Sequence, residues 1–151
     1  MLALVALATF NARGQNLFVS VSGSGSGEVC EFTPSGKQSV YTTSVDQARG
    51  LAFDTVGDLF IGNYSGSVYE FTPGQSETTV ASPGGILVGL TFNSSGNLFV
   101  SDYHDGKIFE ITSNGTTSTF VSGLHGPEGL AFDRAGNLYV ANQSDGTIVE
   151  F

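Results

Sequence analysis

From residue 16 onward the apolar residues fall into short runs of four to six positions, each closed by Gly, Ser, Asn or Asp. The runs are rich in Val, Ile, Phe, Tyr and Thr, which fit a pleated, half-buried backbone. No stretch after residue 15 sustains a 3.6-residue apolar period with helix caps. The pattern predicts strands joined by tight turns. Asp-Gly at 105–106 and 145–146, and Ser-Gly at 65–66, mark three of those turns.

The runs also repeat. Gly50-Leu51-Ala52-Phe53-Asp54 returns as Gly89-Leu90-Thr91-Phe92-Asn93 and as Gly129-Leu130-Ala131-Phe132-Asp133, at spacings of 39 and 40 residues. A second element follows each (Gly57 to Ile61, Gly96 to Val100, Gly136 to Val140), then a third (Ser67 to Phe71, Lys107 to Ile111, Thr147 to Phe151). A looser fourth lies at Gln38 to Tyr41, Glu77 to Ala81 and Thr117 to Val121. An earlier copy shows its later parts, Asn16 to Val19 and Glu28 to Phe32. Four short strands every ~40 residues are the sequence signature of β-propeller blades.

The fold class expected is therefore all-β, a β-propeller of four-stranded antiparallel blades, in units 16–41, 50–81, 88–121 and 129–151. Naming the strands of a blade a to d, the units supply b-c-d, two full blades, and a-b-c. Strand a lacks strict alternation, as expected of a strand covered on both faces by neighbouring blades. About 3.5 blades are fewer than a closed ring needs, since propellers typically have four to eight. Either the sequence is part of a six- to eight-bladed propeller, or several copies close a ring together. Unpaired inner edges would in both cases favour self-association.

Residues 1–14 read differently. Met1 to Phe10 is an apolar run too short for the ~20 residues of a membrane helix, and Ala12 and Gly14 suit a cleavage site before Gln15. No basic residue precedes the run. The expectation is a signal peptide and a secreted, periplasmic or extracellular protein; the alternatives are an extra N-terminal strand or a misplaced start.

Charge narrows the partners. Five Lys and Arg stand against 14 Asp and Glu, for a net charge of −9. This argues against binding nucleic acid, whose affinity rests on cations neutralising phosphates, and against a polybasic membrane anchor. A single Cys excludes an intrachain disulfide and a cysteine zinc cluster. Cys30 occupies the repeat position of Tyr69, Phe109 and Val149, which predicts a small buried hydrophobe.

Residues 127–142, Pro-Glu-Gly-Leu-Ala-Phe-Asp followed by Gly-Asn-Leu-Tyr-Val-Ala-Asn, carry a further likeness. The repeat resembles the NHL-repeat propellers and the related gluconolactonase and regucalcin group, over roughly residues 16–151. That group holds a divalent metal, usually calcium, at one mouth of the channel. The resemblance places its ligands just before the Gly-Leu of strand a, here Arg49, Val88 and Glu128, and just after strand b, here Asn63, Asp102 and Asn142. Calcium takes six to eight oxygens, which Asp102, Glu128, Asn63 and Asn142 could partly supply. Arg49 and Val88 depart from the pattern, and the group's early catalytic Glu has no clear counterpart.

Other polar residues take plainer readings. Glu31, Glu70, Glu110 and Glu150 recur once per unit and are expected to serve contacts between blades. His104 and His125 lie in loops, without metal-binding spacing. No Gly-x-Ser-x-Gly elbow occurs. Ser22 to Gly27 lacks the Lys of a phosphate loop and reads as a hairpin loop. Asn63, Asn93, Asn114 and Asn142 match the glycosylation sequon.

The functional expectation is a secreted scaffold that binds a protein or glycan through blade-end loops and performs no chemistry itself. The candidate contacts are Arg49, Asn63, Tyr64, Asp102, Tyr103, His104, Glu128 and Asn142. The alternative is a calcium-dependent lactonase-type hydrolase.

Overall fold

The structure, a computed structural model, describes residues 7–8, 15–23 and 26–151. Among these residues, fifteen strands form four antiparallel sheets. The first is β1 (Leu7–Ala8), β2 (Leu17–Gly23), β3 (Ser26–Phe32) and β4 (Gln38–Thr42). The second is β5 (Ala48–Phe53), β6 (Leu59–Asn63), β7 (Val68–Phe71) and β8 (Glu77–Ala81). The third is β9 (Leu87–Phe92), β10 (Leu98–Asp102), β11 (Lys107–Ile111) and β12 (Thr117–Ser122). The last is β13 (Pro127–Phe132), β14 (Leu138–Asn142) and β15 (Thr147–Glu150). Strand order within each sheet follows the sequence, so every sheet is a meander. Inner strands of successive sheets pack together, β5 against β9 and β9 against β13, as in the blades of a propeller.

The a–b turns explain one recurring residue. The Oδ1 of Asp54 accepts the backbone N–H groups of Val56, Gly57 and Asp58 at 2.9, 2.8 and 2.9 Å. Asn93 and Asp133 do the same for Ser95 and Asn97, and for Ala135 and Asn137. The glycine of each turn has positive φ, 97° at Gly57, 81° at Gly96 and 95° at Gly136, where a side chain would be strained.

The core lies between the sheets. Leu59, Ile61, Leu98, Val100, Leu138 and Val140 are all buried. Strand b is the most completely covered, with every residue of β10 buried, whereas β9 and β13 are only partly so. Double coverage, expected of strand a, therefore falls more heavily on strand b, which has a strand on each side and a blade on each face. Aromatic rings key neighbouring blades together edge to face. Phe18 meets Phe53 at 5.1 Å, Phe60 meets Phe92 at 5.0 Å, and Phe99 meets Phe132 at 4.9 Å.

One element falls in the segment expected to be a signal peptide. Leu7 and Ala8 pair with Val19 and Phe18, as Leu51 and Ala52 pair with Ile61 and Phe60, so β1 takes the strand-a place of the first blade. The extra N-terminal strand weighed against a signal peptide thus corresponds to this pairing. The rest of the 1–14 segment, with its expected cleavage site, lies outside the described residues. The tip of the β2–β3 hairpin, 24–25, does so too.

Candidate functional site at the b–c turns

Each complete inner strand carries a β-bulge at the same place. In the second blade Ala48 pairs with Asn63 and Leu51 with Ile61, so Arg49 and Gly50 together face Gly62. Val88 and Gly89 face Ser101 in the third, and Glu128 and Gly129 face Ala141 in the fourth. Bulges bend a strand and re-aim its side chains. The glycine is needed because the next blade comes so close. A Cβ on Gly89 would stand 1.9 Å from the carbonyl oxygen of Glu128, and one on Gly50 2.3 Å from that of Val88.

Ser101 fastens this approach. Its buried hydroxyl accepts the Gly89 N–H at 2.7 Å and donates to the Glu128 carbonyl of the next blade at 3.0 Å. Ser20 occupies the same place in the first blade and donates to the Arg49 carbonyl at 2.6 Å. These serines were not singled out in the sequence. Their signal was available, since both end the repeated Asn-Leu-Phe-Val-Ser at 16–20 and 97–101.

The residues after strand b turn out to be buried turn caps. Asn63 is 2% exposed, Asp102 1% and Asn142 4%. The Oδ1 of Asn63 accepts the Ser67 N–H at 2.8 Å. The Oδ1 of Asp102 accepts the N–H groups of Ile86, His104 and Asp105 at 3.0, 3.1 and 3.2 Å. The Nδ2 of Asn142 donates to Thr147 Oγ1 at 3.1 Å. Gly85 leaves room for the Asp102 carboxylate, whose oxygens a Cβ there would meet at 2.1 and 2.4 Å. Burial also closes the sequons at Asn63 and Asn142.

Among the described residues, three buried atoms of this set have no hydrogen-bond partner: Asp102 Oδ2, Asn142 Oδ1 and Arg49 Nε. Two are oxygens of the kind a hard cation takes; the third belongs to a cation. No group of three or more His, Cys, Asp or Glu able to hold a metal occurs among the described residues. Glu128 is partly exposed on its bulge. The fit to calcium is thus partial: two free oxygens, with Arg49 standing in the ligand series.

The more open members of the set lie on the turns. The Arg49 guanidinium sits 5.1 Å over the ring of exposed Tyr64. Tyr103 donates its hydroxyl to Gln143 Oε1 in the next blade at 3.2 Å. The His104 side chain is 73% exposed and meets Asp105 at 3.0 Å; that of His125 is 68% exposed and meets Asp145 at 2.8 Å. Hydrogen bonds from Lys107 and His104 hold the Asp105 carboxyl below its usual range, and those from Thr147 do the same for Asp145.

Two readings of single residues are settled by position. Cys30 is buried, and burial, then Glu28, pushes its thiol upward, away from the reactive thiolate. Two of the strand-c glutamates, Glu31 and Glu110, bond within their own blades rather than between blades. Asn16 donates to Glu31, and Asn97 Nδ2 to Glu110 Oε1 at 2.7 Å, because each Asn precedes the strand b that pairs with its Glu.

The fold is a β-propeller similar to those of several enzymes and binding proteins. Regucalcin from Agrobacterium tumefaciens, described as a calcium-binding protein, superposes with a TM-score of 0.77 at 12% identity, over 90% of this chain and 57% of that one. Virginiamycin B lyase from Staphylococcus aureus gives 0.75 at 12% identity, over 98% and 55%. A gluconolactonase from Xanthomonas campestris gives 0.70 at 18%, over 87% and 52%. The chain spans about half the length of these proteins. The family "Strictosidine synthase-like, N-terminal" matches residues 120–151, from β12 to the end of the last sheet. No curated protein sequence matches the chain. Identities this low establish the fold and leave the chemistry to the site.

Proposed function

We propose that this chain forms part of a propeller that recognises a protein or glycan on the face of the b–c turns. The observation that carries the reading is the division of labour after strand b. Asn63, Asp102 and Asn142 are buried in their own turns, so the turns are rigid, and the accessible groups they present are Tyr64, Tyr103 and His104. Aromatic and amphipathic side chains on a fixed scaffold supply contact area at low entropic cost. Arg49, stacked on Tyr64, adds a donor for carboxylate or sugar oxygens.

The test is a glycan and peptide array probed with the wild-type chain and with Tyr64→Ala combined with His104→Ala. Neither side chain packs in the core, so the variant stays folded. Its binding should fall at least tenfold. Unchanged binding, or no binding by the wild type, overturns the reading.

The partnerless Asp102 Oδ2 and Asn142 Oδ1 favour a second reading, a calcium-dependent lactonase-type hydrolase, which the likeness to gluconolactonase supports in fold alone. Asp102 and Asn142, with Glu128 and Asn63, would hold the ion. Bound there, calcium would polarise a substrate carbonyl.

A further inference from the structure

The opposite face carries a second feature, unrelated to the turns above. Between the second and third blades lies a cleft of about 500 Å³, walled by Phe60, Val80, Phe92, Leu98 and Ile111, with Glu70 on its side and Asp54 at its rim. Two departures from the repeat create it. Val80 is equivalent to Tyr41 in the first blade and Phe120 in the third. Those rings close their own gaps, Tyr41 on Phe18 at 5.1 Å and Phe120 on Phe99 at 5.1 Å. Valine leaves the third ring of this gap missing.

The second departure is one of charge. Where Asn16 and Asn97 hydrogen-bond to the strand-c glutamates of their blades, the second blade has Asp58, which the register places beside Glu70 as Asn97 stands beside Glu110, since Phe60 pairs with Glu70 as Phe99 pairs with Glu110. Two carboxyls side by side cannot both ionise freely without a cation. No Lys or Arg lines the cleft. Burial, followed by Asp58 and then Asp54, holds the Glu70 carboxyl above its usual range.

We propose that this cleft binds a small ammonium ion with an apolar body, seated on Phe60 and Phe92 with its charge against Glu70, to whose negative charge the neighbouring Asp58 adds. The chemistry is complementary at each end. Ring faces and carboxylates both attract an ammonium, and the apolar walls receive its body. The volume falls within the few hundred to 1,000 Å³ usual for small-molecule sites. The proposal shares no residue with the b–c turn face and stands or falls separately from it.

Calorimetric titration of the full chain with benzylamine, and with neutral benzyl alcohol as control, tests it. Benzylamine should bind saturably, at least about tenfold tighter than the alcohol. Asp58→Asn, which restores the residue of the other blades, should weaken benzylamine about tenfold and leave the alcohol unchanged. Val80→Phe, which supplies the missing ring, should abolish both; if it does not fold, Val80→Leu should weaken both. No saturable benzylamine binding by the folded wild type, equal affinity for the alcohol, or undiminished binding in the Val80 variants would overturn the proposal.

Discussion

Ser101→Ala tests how the blades are coupled. The Ser101 hydroxyl is fully buried and joins two backbone groups of different sheets, the Gly89 N–H and the Glu128 carbonyl. Removing it strands both, because the site is fully buried between the blades. A buried backbone group left without a partner costs about 1–3 kcal/mol. Alanine also removes an oxygen without adding bulk, so the loss should total about 2–4 kcal/mol. In a domain of this size that lowers Tm by roughly 5–15 °C. Ser20→Ala removes the hydroxyl that donates to the Arg49 carbonyl and should cost about 1–3 kcal/mol. Ser118→Ala, on an exposed strand, should change stability by less than ~0.5 kcal/mol. Urea unfolding followed by tyrosine fluorescence gives all three values. A Ser101→Ala loss no larger than that of Ser118→Ala would refute the reasoning.

The remaining predictions concern the close approach, the carboxyl pair, the core and the N-terminus. Gly89→Ala should yield little soluble protein, since its Cβ would lie 1.9 Å from a backbone oxygen that cannot move without shifting a blade; expression and solubility decide. Asp58→Asn should raise Tm by a few degrees at neutral pH. The Glu70 carboxyl, raised by burial and by Asp58, holds its proton longer folded than unfolded. The penalty is therefore present above its folded pKa and relieved as pH falls, and the gain from Asp58→Asn should shrink towards pH ~4. Leu59→Ala, at a fully buried strand-b position, should cost about 2–5 kcal/mol in the same urea assay. Deleting residues 1–14 removes the inner strand from the first blade and should lower Tm measurably, and an unchanged melt would show that β1 contributes nothing.

The architecture was legible because each blade repeats its turn chemistry and its apolar runs at one spacing. Phe53-Asp54, Phe92-Asn93 and Phe132-Asp133 mark both an inter-blade ring and a turn cap, and two functions on one dipeptide leave a strong mark. β1 was harder to see. Thr9-Phe10-Asn11, Gly14 and then Asn16-Leu17-Phe18-Val19-Ser20 echo Thr91-Phe92-Asn93, Gly96 and Asn97 to Ser101, but an extra Gln15 breaks the spacing and the apolar run before them mimics a leader. At the candidate site, the positions of Asn63, Asp102 and Asn142 could be read, and their role could not. An Asn or Asp after a strand serves equally as ligand or cap, and only the partners Ser67, Ile86 and Thr147 decide. The cleft at Val80 was invisible for the opposite reason. It depends on a residue that differs from its repeat neighbours, and strand d is the least regular part of the repeat.

Calorimetric titration of the folded chain with calcium tests the central functional claim most directly. If Asn63, Asp102 and Asn142 serve the turns and the face above them recognises a partner, millimolar calcium should give no saturable heat and leave Tm unchanged. Saturable binding that disappears in Asp102→Asn, with Tm rising in calcium for the wild type alone, would contradict the account and place a metal at the channel mouth.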